Sequence, residues 1–196
     1  MKRICLLGLL VALTGLAGTV ASKAAFRPNA KACGGLLWRM KTLSDRQKNS
    51  VRMIPQQTTI GDISARPYPT PLPRSRSTKF QRQNFTVVAQ VTEYKMDGNE
   101  LRLVLFDHGS YMNAVIPSPA CLPRTTRARG QLVEAWQTFV SNCGRPMQSW
   151  QPQGAVVYVS GVGFWSSRFK PRRGSAHNGA ELHPVTGFRS VAGCGS

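Results

Sequence analysis

Acidic side chains are scarce in this sequence. Only 8 of its 196 residues are Asp or Glu, against 26 that are Lys or Arg. No two of the acids form a convincing catalytic pair, and no serine or cysteine lies in the elbow motif that presents a nucleophile. The sequence therefore favours a binding protein over an enzyme.

Several familiar motifs are also absent. The sequence contains no internal repeat, no Gly-rich nucleotide-binding loop and no paired parallel strand–helix units. No two cysteines have the close C-x-x-C spacing of a zinc site or redox centre. These absences argue against repeat proteins and dinucleotide-binding folds, and no cofactor is predicted.

Long apolar runs are confined to the N-terminus. Lys2 and Arg3 precede an apolar run over 4–17, and small residues follow at 19–21. This pattern predicts a signal peptide over 1–21, cleaved after Ala21; the alternative, an uncleaved anchor, would have a short span. The remaining 175 residues suit one secreted or periplasmic domain with no transmembrane anchor, a monomer by default.

Cysteine usage agrees with export. Cleavage removes Cys5 and leaves four cysteines, an even number that predicts two disulfides in an exported chain. Three connectivities are open. We favour Cys121–Cys143, which closes a short loop, with Cys33–Cys194 tying the two ends together. The alternative is that one or both pairs stay reduced.

Positive charge is the strongest bulk property. The part after Ala21 keeps 24 basic and 8 acidic side chains, a formal net charge of +16. Arginine accounts for 18 of the 26 basic residues, and its planar fork suits phosphates and carboxylates. Such a surface attracts nucleic acid, acidic polysaccharide or anionic lipid headgroups. The alternative is that the arginines serve only solubility.

Strand-like alternation is regular from residue 85 onward. Apolar and polar residues alternate over 85–92, 101–106 and 111–116, and turns are predicted at 96–99 and 107–109. Apolar residues then recur at helical spacing over 131–143. Two more strands are predicted, at 155–164 with a bend or bulge at Gly161 and Gly163, and at 180–191 with an interruption at Pro184.

This order predicts a mainly β fold, a five-stranded OB-fold-like barrel with one helix between the third and fourth strands. The OB-like domain is expected over 80–196. An irregular N-terminal segment with a Pro-rich strap is expected over 22–79. Four alternate prolines at 67–73 exclude helix and ladder pairing there, so this part is expected to be an extended strap packed on the domain. The alternative is a recognition peptide for a protein partner.

The second half also resembles a known family. Four segments carry the resemblance: TEYKMDGNELRLVLFD, AVIPSPACL, VSGVGFWS and NGAELHPVTGFR. They are similar, in the same order, to a family of small exported bacterial proteins of unknown function with OB-like architecture and a VTGVGFF…NGIELHPV tail. Asn178, Glu181, His183 and Pro184 match that tail. Where the family often has an acid and a His-Gly pair, this sequence has Ser166 to Lys170. The resemblance implies a fold and no activity.

The leading candidate site is the loop between the last two strands. OB folds use this loop to bind single strands or sugars, and here cationic and aromatic residues are interleaved, as single-strand binding requires. The alternative is a flexible basic loop with its aromatic rings folded into the barrel. The predicted ligand-binding residues are Trp165, Arg168, Phe169, Lys170, Arg172, Arg173 and Asn178.

Two further candidates carry weaker chemistry. Glu181 and His183 share one face of a strand, and with His177 they would make a two-His, one-carboxylate metal set for a hydrolase or nuclease. The alternative is that Glu181 pairs with an arginine. Asp107 and His108 could act in acid–base chemistry, but Asp and Gly are also ordinary turn formers. A structural or partner-binding role in the cell envelope is the third functional class.

Overall fold

The computed structural model of the protein describes residues 33–194. The predicted signal peptide lies outside the described residues. Within that range no helix combines the length and the apolar character needed to cross a bilayer.

The first half of the core is a meander of three antiparallel strands. Apolar side chains such as Val87, Leu103 and Ala114 point inward and are buried, whereas Thr92 and Tyr111 lie on the outer face. Gly98 makes the first turn with a left-handed φ of 65°, which favours glycine. The strands are β2 (Gln83–Asp97), β3 (Glu100–Asp107) and β4 (Ser110–Pro117).

A helix and two long strands complete the core. The helix buries Leu132, Ala135 and Phe139 at helical spacing, so its apolar face closes one end of the core. The ladder between the last two strands shifts register around Gly161 and Gly163, opposite Pro184, which confirms the predicted bulge. These elements are α3 (Arg129–Cys143), β5 (Gln151–Trp165) and β6 (Ala180–Ala192).

Strand pairing closes these five strands into a ring. The hydrogen-bonded order is β2-β3-β4-β6-β5, and β5 pairs again with β2. The β4–β6 contact is parallel and consists of only two residue pairs, so the ring is not a regular barrel. The element order and this closure define an OB-fold-like protein, as the sequence predicts.

The N-terminal segment contributes a sixth strand that the sequence pattern does not reveal. Strand β1 (Arg52–Gln57) runs parallel to β2 at the edge of the sheet. Its side chains are exposed except for the half-buried Met53, so no apolar alternation marks it. The helices α1 (Trp38–Lys41) and α2 (Ile60–Ser64) flank it, and α2 begins at a capping box formed by Thr59 and Asp62.

The Pro-rich strap forms no helix or strand over residues 65–79. Tyr68 and Leu72 pack against the core. Arg76 is fully buried and donates to the carbonyl oxygens of Met40 and Gln81 at 2.7 and 3.0 Å. The segment is therefore a strap fixed to the domain surface.

The disulfide pairing favoured from the sequence is wrong. Cys33 is bonded to Cys121 and Cys143 to Cys194, with Cα–Cα distances of 5.3 and 4.4 Å. Cys121 lies ahead of α3 and Cys143 at its end. The backbone between them approaches the N-terminal segment, where the Arg127 N–H donates to the carbonyl of Leu43 at 2.9 Å. It does not run back along the helix, so the two cysteines stay apart.

Candidate functional site

The loop over residues 166–179 joins β5 to β6, and its base is rigid. Ser166 donates from its backbone N–H to the carbonyl of Gly179 at 2.8 Å. Asn178 is buried, and its side-chain amide donates to the carbonyls of Ile63 and Arg66 at 2.9 and 3.0 Å. Its side-chain oxygen accepts from the backbone N–H of Ala180. The amide of Asn178 thus ties the loop to α2 and does not face solvent.

Trp165 has a similar structural position. It is only 3% exposed, its ring centroid lies 4.7 Å from that of Phe80, and its indole N–H donates to Thr78 at 3.2 Å. A ring packed on both the core and the strap is not free to stack on a ligand. Of the predicted ligand-binding residues, Trp165 and Asn178 therefore support the loop.

The second half of the loop lies on the outer face of β3. Gly174 has a φ of 69°, and a Cβ there would collide with the side chain of Val104. Ser175 accepts from the backbone N–H of Arg172 at 2.9 Å. This close approach of backbone to strand sets Arg172 and Arg173 above β2 and β3.

Arg173 and its neighbours make a first cluster, here called the strand-face cluster. Trp150 is half-buried, and its ring lies 5.5 Å from the guanidinium carbon of Arg173 and 5.2 Å from Nζ of Lys95. Beside Arg173 is an open groove of about 410 Å³, whose walls include Thr92, Val104 and Tyr111. The strand-face cluster consists of Lys95, Tyr111, Trp150, Arg172 and Arg173.

Carboxylates orient the two arginines of this cluster. Arg173 pairs with Glu93, and Arg172 lies 3.7 Å from Asp97. Both arginine side chains are about half exposed, so they reach solvent from fixed positions. Cations in fixed positions, an aromatic ring near two of them and a neighbouring groove are features that favour polyanion binding.

Arg168 and Phe169 make a second cluster on the other half of the loop, here called the tip cluster. The guanidinium carbon of Arg168 lies 4.6 Å from the ring centroid of Tyr68 and 5.0 Å from that of Phe169. Arg168, Phe169 and Lys170 are all exposed. The tip cluster consists of Tyr68, Arg168, Phe169 and Lys170, and its contact with the strap was not predicted from the sequence.

The metal set predicted from the sequence is not assembled. His177 is exposed, whereas Glu181 and His183 are buried, so the three side chains share no open site. Among residues 33–194 no three His, Cys, Asp or Glu side chains are placed to hold a metal ion. Glu181 instead forms an ion pair with Arg102 at 3.5 Å.

A buried ionic network replaces the metal set. His183 has Nε2 3.1 Å from Glu100 and Nδ1 3.2 Å from Glu181. Lys41 of α1 donates to both oxygens of Glu100 at 3.1 and 3.2 Å. Arg102 extends the network from Glu181 to Asp97, 3.4 Å away.

This network lowers the pKa of both of its glutamates. Burial alone would raise the pKa of Glu100, but the charge and hydrogen bond of His183, with those of Lys41, hold it well below its usual range. Burial opposes ionisation of Glu181 as well, yet His183 and Arg102 lower its pKa. Both carboxylates are therefore ionised and paired, and they are not available as ligands or acids.

Asp107 is the last residue of β3, and His108 follows it in the hairpin turn before β4. His108 is exposed and has a φ of 44°, and its Nδ1 contacts the carboxylate of Asp107. The pair has the turn position expected of these residue types.

Comparisons with known proteins give a likeness in structure alone. No protein-family model matches this sequence, and no curated protein matches it. A putative aspartyl-tRNA synthetase from Leishmania major Friedlin superposes with a TM-score of 0.43 and 12% identity over 73% of this chain and 22% of that one. The aspartyl-tRNA synthetase of Entamoeba histolytica gives a TM-score of 0.38 and 16% identity over 67% and 24%.

The asparaginyl-tRNA synthetase of Pyrococcus horikoshii gives a TM-score of 0.35 and 17% identity over 57% of this chain and 20% of that one. This chain thus spans less than a quarter of each of these proteins.

Proposed function

We propose that this chain is an exported polyanion-binding module whose ligand lies on the outer face of β2 and β3, beside the strand-face cluster. The observation that carries the proposal is the placement of Arg173 and Lys95 at 5.5 and 5.2 Å from the ring of Trp150, with an open groove beside Arg173. Cations near an aromatic ring attract a chain of phosphates or sulfates, and the ring itself offers a stacking surface for bases.

The charge of the whole molecule supports the same class of ligand. The excess of 24 basic over 8 acidic side chains in the part after Ala21 raises the local concentration of any polyanion. Of the anionic chains available, single-stranded nucleic acid uses both components of the cluster, whereas an acidic polysaccharide uses the cations alone. The role of Trp150 therefore separates the two ligands.

The binding experiment is a fluorescence titration of a labelled oligothymidine of about 15 nucleotides, a length that one OB fold can cover. We expect Arg173→Ala to weaken binding and to reduce the slope of log affinity against log salt by about one. Arg189→Ala is the matched control, because Arg189 also stacks on a ring, that of Tyr158 at 4.0 Å, outside the groove.

Trp150→Ala distinguishes the ligand class. Loss of a stacking ring should cost about 1–3 kcal/mol of oligothymidine binding and leave the affinity for heparin nearly unchanged. Nearly unchanged affinity for both probes would mean that binding uses the cations alone and would favour a polysaccharide. If the Arg173 and Arg189 variants had the same affinity and salt slope, the proposed site would be refuted.

Export is the second component of the proposal. It is supported by the leader pattern of residues 1–21 and by the two disulfides of the described chain, which persist in oxidising compartments. Expression of the full sequence in a bacterial host should give a mature protein that begins at Ser22 outside the cytoplasm. An intact N-terminus in the cytoplasmic fraction would contradict it.

A further inference from the structure

The most exposed aromatic side chain of the described residues is at the tip of the loop. Phe169 is 75% exposed, against 46% for Tyr111. Residues 168–173 are exposed without interruption. An apolar ring in this position gains nothing from the core, so its exposure needs another explanation.

The guanidinium of Arg168 packs against this ring, and Lys170 follows it in the sequence. Arg168 lies over both Phe169 and Tyr68, and Tyr68 packs edge-on against Phe169 with their centroids 6.1 Å apart. Within residues 33–194 neither Arg168 nor Lys170 has a carboxylate at ion-pair distance. Their charges are therefore available to an external partner.

The two chain segments that form the tip cluster contain no acidic residue to compensate its positive charge. No acidic residue occurs over 63–92, which includes the strap, or over 135–180, which includes the loop. The strap exposes Pro67, Thr70 and Pro71 next to Tyr68. The tip cluster thus combines one protruding aromatic ring, one half-buried tyrosine and two cations with no neighbouring carboxylate in the described chain.

We propose that the tip cluster docks on an anionic lipid surface, with Phe169 entering the headgroup region and Arg168 and Lys170 contacting lipid phosphates. Aromatic side chains with apolar bodies favour the membrane interface, and each basic residue near an anionic leaflet adds to binding. Phe169 is 75% exposed at the end of a loop, so the tip cluster can meet a flat surface, whereas the strand-face cluster borders a groove. The proposal uses none of Lys95, Trp150 and Arg173, so it stands apart from the polyanion groove.

The test is co-sedimentation of the full mature chain with phosphatidylcholine vesicles, with and without phosphatidylglycerol. We expect binding only to the anionic vesicles. Phe169→Ser should weaken that binding about tenfold, since part of a Phe side chain leaves the apolar phase. Phe169→Leu should restore most of it. Arg168→Ala with Lys170→Ala should weaken binding more than tenfold and reduce its salt dependence.

Ile54→Ser is the matched control, because Ile54 is 82% exposed on β1 and equally apolar. It should bind anionic vesicles like the unmodified chain. Unchanged vesicle binding by Phe169→Ser would overturn the proposal, and so would an equal loss in the Ile54 variant. The oligothymidine affinity of Phe169→Ser should be unchanged; a loss there would assign the ring to the polyanion groove instead.

Discussion

His183 is the residue around which the buried charges are arranged. It has no exposed surface, and each ring nitrogen faces a different carboxylate, Glu100 or Glu181. Arg102, 1% exposed, balances Glu181 on the other side. Since each member compensates another, removal of one charge leaves its neighbours buried without a partner.

Neutralising Glu181 tests this dependence. Glu181→Gln keeps the size of the side chain but leaves Arg102 and His183 short of negative charge, so unfolding should become easier by about 3–5 kcal/mol. Urea denaturation measures the change. Glu134→Gln, an exposed acid on α3, is the control and should change stability by less than about 0.5 kcal/mol. Similar midpoints for both variants would mean that the network contributes no specific stability.

The same carboxylates predict how stability depends on pH. Folding lowers the pKa of Glu100 and Glu181, so the unfolded chain binds protons that the folded one does not. Their stabilisation is complete above the unfolded value of about 4.3 and declines as the pH falls below it. Thermal unfolding from neutral to acidic pH should therefore give a falling midpoint, and Glu181→Gln should have a shallower decline. A midpoint that rises on acidification would contradict the assignment.

At the scale of elements, the alternation of apolar and polar residues and the turn residues were sufficient to predict most strands of the closed sheet. All five strands and the helix after residue 80 are present in the predicted order, because their inward-facing side chains are apolar and buried. Strand β2 continues five residues beyond its predicted end, and β5 begins four residues before its predicted start. Strand β1 was not predicted, since its side chains are mostly exposed and only its backbone pairs with β2. A strand held only by backbone hydrogen bonds has no characteristic pattern of residue types.

In the candidate site, too, local features could be predicted from the sequence and long-range contacts could not. The cations and aromatic rings of the loop are local in sequence, and all of them were predicted as one site. The structure divides them between two clusters, and the rings that define those clusters, Tyr68 and Trp150, come from other parts of the chain. Which ring meets which arginine depends on long-range packing, and one sequence does not contain that information.

The bulge in β5 gives a prediction for an element. A Cβ on Gly163 would collide with the carbonyl oxygen of Phe80 and lie 2.7 Å from its ring. Gly163→Ala should therefore destabilise the fold by about 1–3 kcal/mol. Gly154→Ala, in the same strand, would meet only the amide of Gln90 at 3.9 Å and should be close to neutral. Equal stabilities of the two variants in urea would show that strand β5 can move away from Phe80.

At the scale of the whole molecule, the two disulfides join the elements that strand pairing leaves apart. Cys33–Cys121 fastens the N-terminal segment to the 3-10 turn that follows β4, and Cys143–Cys194 fastens the end of α3 to the chain after β6. Short sequence separation suggested a different pairing. It failed because α3, about 22 Å long, carries Cys143 away from Cys121.

Peptide mapping without reduction should recover these two links and no peptide that joins Cys121 to Cys143.

The bonds span 88 and 51 residues, and for loops of that length the chain-entropy model gives about 4 kcal/mol each. Replacing Cys33 and Cys121 together by Ser should lower the unfolding free energy by about that amount, while the Cys143–Cys194 link persists in the map. Because Lys41 of the N-terminal segment lowers the pKa of Glu100, loosening that segment should also make the decline of stability on acidification shallower. A variant with an unchanged acid transition would show that α1 stays docked without its disulfide, and that the strap and Arg76 are sufficient to hold it.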